Sequence, residues 1–223
     1  MLELSPDELL TTTRSVRKRL DFERPVERAL VETCLGIALQ APNGGNLNAW
    51  RWIAVDHPPL IAKMADIYNA GLDDYIASFG AAGYPGADAV GAEAIASSTQ
   101  HLRDNFHRCP AVVVPLLAGR TDGHGPLPDM TNSFYQASQW GSILQAVWSF
   151  MLALRARGLG STWTTGHLWR EREMAELLGF PHDHLQVGLF PVAYTLGTSF
   201  RPADRADSES RIFWNRWSAR APA

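Results

Sequence analysis

The sequence predicts an α+β fold in which helices cover a central sheet. Helical periodicity recurs in about six segments and strand-like apolar runs in about four. The helices come in groups between single strands, so the regular alternation of a doubly wound parallel sheet is missing. With 223 residues, 46% hydrophobic and 19% charged, the chain has the length for one sizeable domain and an ordinary globular balance.

The elements follow in order. Ser5-Pro6-Asp7-Glu8 is a helix start: serine caps, proline suits the first turn, and Glu8 stands where a capping box needs it. Pro25 opens a second helix, with Ala29, Leu30, Cys34, Ile37, Ala38 and Ala41 at helical spacing, ended by Pro42 and Gly44-Gly45. Residues 50–55 read as a strand. His57-Pro58-Pro59 starts a third helix, with Ile61, Met64, Ala65 and Tyr68 on one face. Residues 80–92, rich in Gly and Ala, read as a flexible segment or lid, and a helix runs from about Glu93 to Arg108. Ala111 to Leu117 has the pattern of a strand buried on both faces, with Pro115 marking an irregular or edge position. After a polar loop at 119–130, the longest helix spans Ser133 to Arg157. Its stripe includes Phe134, Trp140, Leu144, Val147, Phe150 and Leu154. Arg155 and Arg157 favour the negative end of its dipole, and Gly158 stops it. A short β-prone piece from Gly160 to Thr165, a helix from Glu171 to Leu178 closed by Gly179, and a strand from Leu185 to Tyr194 complete the chain.

The net charge of -3 carries no basic excess and gives no reason to expect nucleic acid as a partner. No apolar stretch reaches the roughly 20 residues a membrane helix needs, and the N-terminus has no signal-peptide pattern. Cys34 reads as a small core residue. Cys109, before Pro110, is expected to be open to exposure. Two isolated cysteines fit a reducing, cytoplasmic setting.

Two stretches carry chemistry. Arg14-Ser15-Val16-Arg17 places two guanidinium forks around a hydroxyl, the donor set a phosphate takes. Read as a helical turn, positions i and i+3 bring Arg14 and Arg17 to one side. Continued by Lys18 and Arg19, the run equally reads as a solvated basic surface. Asn43, Asn46 and Asn48 lie on a Gly44-Gly45 turn. Their amides suit the edge of a flat heterocycle, and equally a plain helix cap and loop. No catalytic triad, acid–base pair or metal-ligand spacing is present. The seven histidines are scattered, and His167 is singled out only because it follows Thr164-Thr165-Gly166.

The order of these blocks resembles the FMN-dependent nitroreductase family. Arg-Ser-Val-Arg is followed by the Pro25-Val26 helix and by Ala41-Pro42, Asn46 and Trp50 at a strand start. Gly158-Leu159-Gly160-Ser161-Thr162-Trp163 is similar to the family's GLG-x-x-W segment. Leu189 to Tyr194, followed by Arg201 and Arg205, is similar to its closing strand and basic tail. The runs TTTRSVRKRLDFERPV and ALQAPNGGN most resemble an actinobacterial subgroup. Residues 66–108 and 119–130 fall outside the recognisable blocks.

The resemblance implies a nitroreductase-like fold: one domain over 1–223, with a mixed or antiparallel sheet flanked by helices. It implies a variable helical cover at 66–108 and a tail at 199–223 that wraps the partner of a homodimer. It puts Arg14, Ser15, Val16 and Arg17 at the FMN phosphate, with Arg205 and, more weakly, Arg201 completing that site. Pro42, Asn43 and Asn46 would meet the flavin ring of the partner subunit, as would Asn48, where the family often has glutamine. Thr164, Thr165 and Gly166 would lie beside flavin N5. Trp163 fits either ring packing or core filling, and Tyr75, Phe79 and Tyr84 either stacking on a substrate or packing the cover. Arg19 departs from the aromatic usual at its position. The activity implied is reduction of nitroaromatics, quinones or related small aromatic acceptors by NADH or NADPH, in two half-reactions through FMN. A specialised flavin-dependent oxidase or dehydrogenase, an FMN-sequestering protein without turnover, and a helical domain without cofactor remain as alternatives.

Overall fold

The computed structural model describes residues 1–80, 91–123, 132–204 and 211–217. The helices are α1 (Pro6–Thr12), α2 (Arg28–Ala38), α3 (Pro58–Ala77), α4 (Ala92–Asn105), α5 (Ser133–Arg155) and α6 (Glu171–Leu178). The strands are β1 (Leu20–Asp21), β2 (Trp50–Val55), β3 (Ala111–Ala118), β4 (Leu159–Ser161), β5 (His184–Gln186) and β6 (Phe190–Thr195).

Local signals set several of these bounds. In α1 the Ser5 hydroxyl accepts from the Glu8 amide, and the Glu8 carboxylate accepts from the Ser5 amide over 2.8 Å. Gly179, at φ 72°, ends α6 in the left-handed conformation that favours glycine. Helix α2 starts at Arg28 rather than at Pro25. Val26 is buried in the core, and Glu27 stays extended and accepts from the Tyr194 hydroxyl.

All strands pair antiparallel, in the order β1-β6-β3-β2, with β4 on β6 and β5 on β3. Strand β3 is the centre, and its alternate side chains feed two cores. Ala111, Val113 and Leu117 join Val31, Cys34, Ile143, Val147 and Phe150 of α2 and α5 on one face. Val112, Val114 and Leu116 join Ile61, Met64, Tyr68, Leu102 and Met174 of α3, α4 and α6 on the other. The result is three layers, helices over sheet over helices.

Four expectations are corrected. Pro115 sits in the middle of the sheet, opposite Trp52 of β2. Its carbonyl accepts from Val187, so its missing N–H faces the interval between β5 and β6, where no ladder partner is needed. That interval splits the strand expected from Leu185 to Tyr194 into two. Cys109 is buried rather than exposed, and desolvation pushes its thiol up to about 12, as it pushes Cys34 to about 11. Both thiols are therefore poor nucleophiles. In α5 the first turns are open: Phe134 is exposed, and full burial begins at Ile143. No helix among the described residues is long and apolar enough to cross a membrane.

Candidate functional site

The Arg14–Arg17 segment is not helical: it carries a single bridge at Ser15 and bends at Arg17. Ser15 bridges Ser161, and the Val16 amide donates to the Ser161 carbonyl over 2.8 Å. Bridging to β4 takes the place of helical bonds at Ser15 and Val16. Val16 enters the core beneath α3. Arg14 is exposed and donates from Nη1 to the Arg201 carbonyl over 2.6 Å. Arg17 is half-buried near the Tyr68 phenol. Burial lowers its pKa and the phenol opposes that shift. The expectation that a helical turn brings Arg14 and Arg17 to one side is thus corrected.

Arg19 departs from the usual aromatic with a clear local role. Its Nε, Nη1 and Nη2 donate to the carbonyls of Leu196 (2.9 Å), Ser199 (2.9 Å) and Gly197 (2.8 Å). It also stacks on Phe200, its guanidinium carbon 4.1 Å from the ring centre. This fixes the chain as it leaves β6 and presents Arg201 to Arg14. Arg205 lies outside the described residues, as do Tyr84 and most of the 80–92 segment.

Thr164 pairs with Leu189 by backbone bonds of 3.1 and 2.8 Å, and its hydroxyl donates to Tyr68 Oη over 3.1 Å. Tyr68 is fully buried and stacks on Phe106 at 5.0 Å. Burial raises the phenol pKa, while Thr164 and Arg17 pull the other way. A side chain at Gly166 would meet Leu72 at 2.5 Å, and one at Gly71 would meet the Gly166 carbonyl at 2.3 Å. Helix α3 therefore touches the Thr164–Gly166 segment backbone to backbone, an approach only glycines allow. Thr165 is exposed, and its carbonyl accepts from Leu168. The Thr165 and Gly166 amides, at the start of a short 3-10 turn, take no backbone acceptor among the described residues. Donors of this kind suit an electron-rich ring atom.

His167 is fully buried beside Gln186, and its ring nitrogens make no well-formed hydrogen bond. Desolvation pushes its pKa down to about 3, with Gln186 opposing, so the ring is neutral at ordinary pH. Trp163 donates from Nε1 to the Val187 carbonyl and tilts against Phe190 beside the interval between β5 and β6, while one third of it stays exposed, 36%. Tyr75 meets Phe79 edge-on at 4.9 Å and Trp169 at 6.1 Å.

The amide turn forms a separate group. The Asn43 side chain accepts from the Asn48 amide (3.0 Å) and donates to the Asn48 side chain (3.2 Å), which in turn donates to the Asn46 carbonyl (3.0 Å). Gly45, Asn46 and Asn48 all have positive φ (60°, 54° and 49°), a conformation Asn tolerates better than most residues. The turn rests on α5, where the Gly44 amide donates to Ser142 Oγ over 2.8 Å. Pro42 precedes it, exposed. No hydrogen bond among the described residues joins Asn43, Asn46 or Asn48 to the Arg14–Arg17 or Thr164–Gly166 segments.

Two residues of this region escape a sequence reading. Tyr68 has only the helical spacing of a core position, and Arg155 only the look of a dipole-compensating charge. Neither carries a motif.

A family model described as "Nitroreductase family" matches residues 10–194. Among solved structures, the chain is similar to a BluB-like flavoprotein from Clostridium difficile 630 (TM-score 0.70, 16% identity, 96% of this chain and 100% of that one). It is similar to an iodotyrosine deiodinase bound to FMN and 3-iodo-L-tyrosine (0.68, 17%, 95% and 99%). It is also similar to a mutant of NfnB, an FMN and NADPH-dependent nitroreductase derived from sphigopyxis sp. strain HMH (0.68, 23%, 96% and 100%). At these identities the likeness is one of fold.

Proposed function

The chain belongs to the nitroreductase family, and on that premise we propose that it is an FMN-dependent oxidoreductase. The observation that carries the reading is a group of arginines without acidic partners near backbone amides that take no backbone acceptor, among the described residues. Among the described residues, Arg14, Arg17 and Arg19 form no ion pair, in a chain of net charge -3. They flank the β4 bridge, and the Thr165 and Gly166 amides follow on from β4. Unneutralised guanidinium groups favour a dianionic phosphate, and the amides favour the ring. The residues present therefore fit FMN.

In this reading Arg14, Ser15, Val16 and Arg17 hold the phosphate end, aided by Arg201 and Arg205. Thr165 and Gly166 hold the ring through backbone donors. Thr164, locked on Tyr68, sets their position. Bound there, FMN supplies the redox chemistry, taking electrons from NADH or NADPH and returning them to a nitroaromatic, quinone or similar small aromatic acceptor. The separateness of the amide turn supports a homodimer in which Pro42, Asn43, Asn46 and Asn48 meet the partner's flavin. The 66–108 region then serves as cover, and the 199–223 tail packs on the other subunit.

The test is the visible spectrum of the purified protein before and after NADH or NADPH. A flavin band that bleaches on addition is expected. A colourless protein that takes up no FMN would overturn the proposal. Intersecting rather than parallel lines in initial-rate plots would refute the shared site for donor and acceptor.

A further inference from the structure

Arg155 is the one lysine or arginine buried among the described residues, 5% exposed, and no carboxylate there pairs with it. A buried guanidinium without a counter-charge is strongly unfavourable. Its Nη2 reaches Thr12 Oγ1 only at 3.4 Å, and the charge acting on it is a like one, Arg19. Against both guanidinium groups lies the half-buried ring of Phe200. The ring centre is 4.1 Å from the guanidinium carbon of Arg19 and 4.8 Å from that of Arg155. The negative face of an aromatic ring attracts such a cation, most strongly where water is excluded. One phenyl ring thus draws together two like charges that repel each other.

Beyond β6 the chain from Leu196 to Arg201 has no helix or strand of its own, so contacts with side chains set its path. Arg19 holds the carbonyls of Leu196, Gly197 and Ser199, and the Arg201 carbonyl accepts from Arg14 Nη1 over 2.6 Å. Phe200 stands between the last carbonyl that Arg19 holds and the one that holds Arg14. We propose that Phe200 is a positioning residue for the anion end of the candidate flavin site. Pinned by Arg19 and Arg155, it fixes the Arg201 carbonyl, and through it the fork of Arg14, before a ligand arrives. Arg14 is exposed and in no ion pair among the described residues. Ordering such a long side chain at the moment of binding costs about two- to tenfold in affinity, and the tether removes that cost in advance. The inference rests on the flavin reading, since what it sets is the preference for FMN over riboflavin, which lacks the phosphate.

The experiment titrates FMN and riboflavin into the full chain, Phe200→Leu, Phe200→Tyr, Arg14→Ala and the Phe200→Leu, Arg14→Ala double variant, following flavin fluorescence. Phe200→Leu keeps an apolar side chain and removes the ring. It is expected to cut the preference for FMN over riboflavin by about two- to tenfold, with riboflavin affinity at the parent value. Phe200→Tyr keeps the ring and is expected to keep the preference. In the Arg14→Ala background Phe200→Leu is expected to change nothing further, because the ring acts through Arg14. An unchanged preference in Phe200→Leu, an equal loss for both flavins, or the same loss with and without Arg14 overturns the proposal and leaves the flavin reading standing. A parent that binds neither flavin overturns both. Should Phe200→Leu not fold, Arg19→Lys keeps the charge, loses the fork on the three carbonyls, and is read by the same criteria.

Discussion

Gly71→Ala tests whether α3 positions the Thr164–Gly166 segment. In an exposed helix the exchange would stabilise, by about 0.5–1 kcal/mol. At Gly71 the added Cβ would lie 2.3 Å from the Gly166 carbonyl oxygen. A carbon and a carbonyl oxygen approach ordinarily to about 3.3 Å, so the two backbones must separate by about 1 Å. Forced overpacking of this kind costs about 1–3 kcal/mol, which exceeds the helix gain. The displacement falls on Gly166 and, through it, on Thr165. A 1 Å misplacement of a reacting centre can cost about 100-fold in rate. Urea denaturation should therefore show Gly71→Ala destabilised by about 1–2 kcal/mol. Single-turnover flavin reduction by NADH or NADPH should be slowed more than flavin binding is weakened. Gly36→Ala, where a Cβ meets nothing within 4 Å, is the control and should gain stability. If Gly71→Ala gains stability as Gly36→Ala does, or reduces its flavin at the parent rate, the backbone contact does not position the site.

Other measurements bear on single residues. Arg14→Ala and Arg17→Ala should each weaken FMN binding by about 1.5–3 kcal/mol, read by fluorescence titration, and unchanged affinity in both would sink the phosphate assignment. Thr165→Ala should leave FMN bound but change its reduction rate or potential. Thr164→Val should instead lower stability by about 1–3 kcal/mol, since it strips the buried Tyr68 hydroxyl of its partner. For His167 the folded pKa, about 3, lies below the unfolded value, so the unfolded chain binds the extra proton. Its contribution to stability is full above about pH 6.5 and falls with acid toward pH 3, by at most about 1.4 kcal/mol per pH unit. His167→Leu should flatten that part of the stability profile. Equal acid sensitivity in the variant would show that other groups govern it.

The readable parts of the fold are those whose causes are local. The capping box at Ser5 and Glu8, the glycine stop at Gly179 and the two-faced apolar run of β3 depend on residues a few positions apart. What the sequence concealed depends on partners far along the chain. A proline in a strand reads as an edge signal, and Pro115 defeats it because the missing N–H falls opposite the interval between β5 and β6. That Arg14 and Arg17 share no helical turn hangs on Ser161, more than a hundred residues on, which bridges Ser15. Arg155 carries a sign that suits a helix end, and only packing turns it inward beneath Phe200. The Thr164–Gly166 segment was legible as a motif. Its dependence on Tyr68 and Gly71 was not, since neither is distinctive alone.

Strand β3 has a further consequence. Its odd-numbered residues belong to one core and its even-numbered ones to the other, and its two edges are paired with β2 on one side and with β5 and β6 on the other. Neither helical layer can shed its half of that strand without exposing the half that serves the opposite layer. The two cores are thus energetically one cooperative unit, and the amides of β3 should be the last to exchange with solvent. A substitution in the α2–α5 layer is then felt as lost protection in the α3 layer that backs Thr164, with no contact shared between them.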